Sequence, residues 1–174
     1  MSSLETLKLK TSWFTKRSWF VDKQGKRCSK KFKITFQQKA GPITIFNTNK
    51  GTILYSKYSN QYERHSPYFG SWTGVIRLSN NVYLVSWQSV KGERSYRLLN
   101  EKLERVTDNY FGFMDVKMLT PNLLGLKTIH GWGVINNVTG KFVELPKYSD
   151  IEYKDGKIIG KTTQVVENEI IIKI

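Results

Sequence analysis

Short runs in which apolar and polar residues alternate recur along this chain, and each ends in residues that favour a tight turn. Leu7-Lys8-Leu9-Lys10 alternates, as does Phe32-Lys33-Ile34-Thr35-Phe36. Ile43-Thr44-Ile45-Phe46 leads into Asn47-Thr48-Asn49-Lys50-Gly51, after which Thr52-Ile53-Leu54-Tyr55 returns. Asn and Gly tolerate the positive φ of a tight hairpin, so this order predicts two antiparallel strands joined by a turn. Ser79-Asn80-Asn81 punctuates the next pair, between Gly74-Val75-Ile76-Arg77-Leu78 and Val82-Tyr83-Leu84-Val85-Ser86-Trp87. Residues 136–140 punctuate another, between Trp132-Gly133-Val134-Ile135 and Lys141-Phe142-Val143-Glu144-Leu145. A period of two buries one face of a strand and wets the other. The chain is therefore predicted to be all-β, built from consecutive antiparallel hairpins in a single repeat-like sheet or barrel.

Two passages compete with that reading. Tyr96, Leu99, Leu103 and Val106 share the spacing of one helix face, but Asn100-Glu101 can equally turn residues 96–106 into a hairpin, which the surrounding strands favour. Ser2-x-x-Glu5 has the spacing of a helix capping box, while the alternation that begins at Leu7 favours a strand.

With 174 residues, 39% of them hydrophobic, the chain is expected to form a single domain over residues 1–174, burying roughly 70% of its unfolded surface. A charge-free stretch such as residues 78–90 contains Ser, Asn and Gln, and falls short of the roughly 20 apolar residues of a membrane helix. The opening Met1-Ser2-Ser3-Leu4-Glu5 lacks the basic-then-apolar order of a leader. A cytoplasmic location without a membrane partner is the resulting expectation. Cys28 is the only cysteine, and His65 and His130 lie far apart. Neither a disulfide framework nor a metal or cofactor is expected.

Charge is placed unevenly. Lys and Arg number 28 against 14 Asp and Glu, a formal net charge of +14. Residues 1–60 hold 13 of those cations against Glu5 and Asp22 alone, or +11, and residues 61–174 hold the remaining 15 against 12, or +3. The strongly basic N-terminal third also interleaves its cations with rings: Trp13, Phe14, Trp19, Phe20, Phe32 and Phe36. Aromatic rings stack on unpaired bases while Lys and Arg neutralise phosphates. This pattern nominates Lys16, Arg17, Trp19, Lys23, Lys26, Arg27, Lys30, Lys31 and Lys33 as a nucleic-acid-binding set, with nucleic acid or a nucleoprotein as the partner. The bland alternative makes the rings core residues and the lysines a solvated edge that discourages strand-to-strand aggregation.

A segment also repeats. Leu123-Leu124-Gly125-Leu126-Lys127-Thr128 returns as Ile158-Ile159-Gly160-Lys161-Thr162, with the two glycines 35 residues apart. Between them stand Trp132-Gly133-Val134-Ile135, Thr139-Gly140-Lys141-Phe142-Val143, Pro146-Lys147-Tyr148-Ser149-Asp150-Ile151 and Asp155-Gly156-Lys157. Over residues 130–161 that order resembles the WG, or KWG, β-repeat of bacterial proteins. Residues 18–33 carry a weaker copy, with Trp19, an Asp22-Lys23 turn and Gly25-Lys26, but Phe20 where the repeat has glycine. The resemblance implies hairpins and an interaction module, and brings no catalytic residue with it.

Catalytic groups are sparse. Asp150 followed by Glu152-Tyr153-Lys154 is similar to the acid-x-Lys strand of metal-dependent nucleases, a short pattern that makes this the weakest reading. The chain is read as not an enzyme. Its expected function is non-catalytic binding of a polyanion through a basic, aromatic-rich face. The alternative is a protein interaction module or inhibitor that covers an acidic or nucleic-acid-binding surface of another protein.

Overall fold

The computed structural model describes residues 7–79, 81–107, 112–162 and 169–172. These residues form strands and turns with no helix, and every named strand pairs antiparallel with its neighbour in sequence within the same sheet. The first sheet holds β1 (Lys8–Thr11), β2 (Arg17–Val21), β3 (Phe32–Ala40), β4 (Ile43–Thr48), β5 (Gly51–Ser56) and β6 (Tyr62–His65). The second holds β7 (Gly70–Arg77), β8 (Tyr83–Ser89) and β9 (Arg94–Leu99). The third holds β10 (Asp115–Thr120), β11 (Leu123–Thr128), β12 (Gly131–Asn136) and β13 (Phe142–Tyr148). The fourth holds β14 (Asp150–Lys154), β15 (Lys157–Lys161) and β16 (Glu169–Ile172). The chain is thus all-β and made of consecutive hairpins, distributed over four sheets.

Successive sheets are glued face to face, which explains runs that are buried at every position. On β4, Ile43 and Ile45 join Leu54, Trp72, Val75, Tyr83, Val85 and Leu99 between the first and second sheets. Phe46, on the opposite face of β4, joins Phe20, Phe32, Ile53 and Tyr55 inside the first sheet. A strand covered on both sides needs apolar residues at both parities. The pattern repeats downstream. Leu84, Leu98, Phe113, Leu124, Leu126 and Ile135 fill the gap between the second and third sheets. Trp132, Val134, Tyr148, Ile151, Ile158 and Ile172 fill the gap between the third and fourth.

The first sheet curls into a half-barrel. Phe20 of β2 stacks on Tyr55 of β5 and Tyr62 of β6, with ring centroids 5.0 and 4.6 Å apart. The Tyr55 hydroxyl donates to the Leu7 carbonyl at 2.8 Å, tying the start of the described chain to the middle of the sheet. Burial of this phenol pushes its pKa upward, so it stays a neutral donor.

The recurring glycine segment lies on β11 and β15, the second strands of their sheets. A Cβ at Gly160 would come within 2.5 Å of Tyr148 ring carbon Cδ1, and one at Gly125 would collide with the Ile151 side chain. Both glycines give room to a large side chain arriving from the adjoining core. Residues 96–106 take the hairpin alternative. Leu99 bridges Arg105, Val106 donates to the Leu98 carbonyl at 3.0 Å, and Asn100 Oδ1 accepts from the amides of Lys102 and Glu104. Leu98 and Leu99 point to opposite faces of β9, as successive strand residues do, and enter two different cores. The Ser2 and Glu5 capping spacing lies outside the described residues. No helix among the described residues is long and apolar enough to cross a membrane.

Candidate functional site

Strand register sorts the N-terminal residues into two faces. Leu9 lies opposite Phe20, Thr11 opposite Ser18, and Ser18 opposite Phe32, all toward the interior of the curl. The other parity puts Lys10 opposite Trp19 and Arg17 opposite Lys33 on the outside, with Lys8 one pleat further along β1. Lys31 closes the group, its Nζ 5.1 Å from the centroid of the half-buried Trp19 ring. Five cations and one indole therefore share the outer surface of β1 to β3. Like charges placed directly across a strand pair oppose folding, and no carboxylate among the described residues makes an ion pair with Lys8, Lys10, Arg17, Lys31 or Lys33. None of these five charges is neutralised by a carboxylate among the described residues.

The β1–β2 hairpin ends in a turn at residues 12–16, in which Ser12 accepts from the amides of Thr15 and Lys16. Trp13 and Phe14 stand on its tip, 80% and 94% exposed, with Lys16 Nζ 4.4 Å from the Trp13 centroid. Lys23, Lys26, Arg27 and Lys30 lie exposed on the 22–31 loop beside the face. Asp22, the only acid there, spends its carboxylate on the Lys26 amide at 2.8 Å. The structure thus brings Arg17, Trp19, Lys31 and Lys33 together, places Lys16 at the hairpin tip, and leaves the other four cations on the adjoining loop. Lys8 and Lys10 belong to the face but not to the set nominated from sequence. The alternation of Leu7-Lys8-Leu9-Lys10 held the signal, since it commits both lysines to the outer parity.

A cleft of about 540 Å³ opens at the edge of this surface. Phe36, Gln38, Ile45, Asn47 and the β4–β5 turn form one wall, and Ser71, Trp72 and Thr73 of β7 form the other. Both walls carry a β-bulge, between Ile34 and Phe36 on β3 and between Trp72 and Gly74 on β7. Simple alternation would send Phe36 inward with Phe32 and Ile34. The bulge turns it to the other parity, opposite Asn47, where it is 61% exposed. A smaller neighbouring cleft, lined by Asn49, Lys50, Arg64, Ser66, Pro67 and Tyr68, shares Asn49 and Pro67 with the first.

Around Trp72 sits a cluster of charged and ring side chains from β6 and β9. Arg97 Nη1 pairs with Glu63 at 3.1 Å, and its guanidinium lies 5.1 Å from the Trp72 centroid. His65 meets the edge of Trp72 with centroids 5.2 Å apart. Burial lowers the His65 pKa, Arg97 lowers it further, and Glu63 opposes both. These groups link β6 to β7 and β9, which is a structural task.

The nuclease-like residues are engaged elsewhere. Asp150 is held below the usual carboxylate range mainly by its hydrogen bond from Lys117, and Glu152 pairs with Lys161 at 3.8 Å. Among the described residues no three His, Cys, Asp or Glu side chains are grouped to hold a metal ion.

No family model and no curated protein matches this sequence. One solved structure, described as the AfRom2 CNH domain, aligns over 96% of this chain at 9% identity with a TM-score of 0.31. The chain spans 59% of that structure's length, and so low a score carries no argument about fold or function.

Proposed function

We propose that this chain is a non-catalytic binding protein whose outer β1–β3 face engages a polyanion, with nucleic acid or a nucleoprotein as the partner. The observation that carries this reading is the cross-strand placement of Arg17 against Lys33 and Lys10 against Trp19, with Lys31 over the indole and no carboxylate among the described residues paired with these cations. A surface evolved only for solubility gains nothing from like charges set face to face, whereas a bound phosphate chain turns that repulsion into attraction. The WG-like segment at residues 130–161 agrees with an interaction module rather than an enzyme.

Five phosphate contacts give an expected log–log slope of affinity against salt near −4. Fluorescence anisotropy with a labelled oligonucleotide, repeated across salt concentrations, measures it. Affinity indifferent to salt refutes the proposal. Recovery from lysate of a tight protein partner that survives nuclease treatment would transfer the same cations to an acidic protein surface.

A further inference from the structure

The cationic face and the larger cleft belong to one side of one sheet. On β3, Lys33 faces outward beside Arg17, and the bulge after Ile34 brings Phe36 to that same side, opposite Asn47. Further along, the second sheet covers this side, burying Ile43, Ile45 and Leu54 under Trp72 and Val85. The cleft is the step at which that cover begins. Asn49 joins the two regions through side chain and backbone: the Lys33 amide donates to Asn49 Oδ1 at 3.1 Å, and the Asn49 amide donates back to the Lys33 carbonyl at 3.2 Å. Asn49 lines both clefts, so a chain lying across Arg17 and Lys33 meets Phe36 on one side of the 48–51 turn and Lys50, Arg64 and Tyr68 on the other.

Three features mark the step as built for a ligand. Bulges commonly re-aim a side chain next to a site, and here one occurs in each wall. The β3 bulge exposes a phenylalanine that simple alternation would have sent to the core, at a cost in buried apolar area. Asn47 Oδ1 and Trp72 Nε1, on two of the lining side chains, are buried with no hydrogen-bond partner, a condition native proteins seldom leave unused. The second cleft adds a ring, Tyr68, that is 83% exposed beside Arg64. Arg64 Nη2 donates to the Lys50 carbonyl at 3.1 Å, fixing the guanidinium at the rim.

Resting on the polyanion reading above, we infer that the ligand is single-stranded nucleic acid, with phosphates along Arg17, Lys33, Lys50 and Arg64 and an unpaired base against Phe36 in the cleft. A duplex keeps its base faces stacked on one another and has none to offer these rings, whereas a single strand presents every face.

The test uses the full chain, a labelled oligothymidylate of about 15 nucleotides and a duplex of the same length. The unmodified protein is expected to bind the single strand at least about 10-fold more tightly than the duplex. Phe36→Ala is expected to weaken single-strand binding about 5- to 150-fold, the range for loss of one base–ring stack, and to leave duplex binding unchanged. Because Phe36 is already exposed, the variant should fold, and a thermal melt verifies that. Tyr68→Ala provides a second reading of the same effect. Equal affinity for single strand and duplex, or a Phe36→Ala variant that binds like the parent, overturns this inference while the basic-face reading stands. Failure to bind either probe overturns both.

Discussion

Lysine over tryptophan occurs at both ends of this molecule, and the two instances do opposite things. In the third sheet Trp132 is 3% exposed, with Lys117 Nζ 4.6 Å from its ring, and the Lys117 charge is met by Asp150. Around it Lys147 pairs with Glu144 and Lys161 with Glu152. In the first sheet Lys31 lies over a half-buried Trp19, Lys16 over an exposed Trp13, and neither has a carboxylate partner among the described residues. Composition alone does not distinguish these cases. What separates them is whether a second sheet covers the ring and whether an acid from a neighbouring strand neutralises the cation. Downstream the contact helps to close a core, and upstream it stays on the exposed outer face.

The strongest way to break this contrast is charge reversal in matched sets. Replacing Lys10, Arg17 and Lys33 by Glu should reduce the magnitude of the salt slope of oligonucleotide binding by about 2 to 3 units, from the loss of three phosphate contacts. Reversing the exposed Lys141, Lys154 and Lys157 should leave the slope unchanged. Equal losses from both sets would make binding a matter of net charge, with no special face.

Next in size come the rings. Trp132→Ala should destabilise the fold by about 3–5 kcal/mol in a urea melt, because it empties a closed core. Trp13→Ala should stay within about 0.5 kcal/mol, since that ring supports nothing. Gly160→Ala should cost about 1–3 kcal/mol by forcing a methyl against the Tyr148 ring. Tyr55→Phe should cost about 1 kcal/mol, leaving the Leu7 carbonyl without its donor and loosening the curl that positions β1.

The smallest effect is a pH dependence. His65 has a folded pKa below its ordinary value of 6.5, so the unfolded chain binds the proton more readily. Stability is then fully present above about 6.5 and declines as pH falls through that value. His65→Gln should flatten this part of the thermal-stability profile. A profile with the same acid decline in the variant would place its origin elsewhere, for example in the carboxylate of Asp150.

Much of the candidate site was legible in one dimension. Arg17, Trp19, Lys31 and Lys33 were nominated from the mixture of cations and rings, and the β1 lysines were available from alternation alone. Phe36 was hidden because Phe32-Lys33-Ile34-Thr35-Phe36 reads as a regular strand, and only the bulge beside Asn47 inverts its last position. The cleft was hidden more deeply, since its lining comes from residues 36, 38, 45, 47–49, 51, 52, 67 and 71–73.

By itself, then, the sequence determined that the chain is all-β, where its hairpins turn, and that its positive charge gathers in the first third. Those properties are local: a two-residue period and a tolerance for positive φ act within a few residues. Tertiary structure decided which faces are covered, and so which rings and cations remain available. A shift of one residue in register exchanges the two faces of a strand. Whether such a shift is stable depends on the sheet packed against it, which comes from a distant part of the chain.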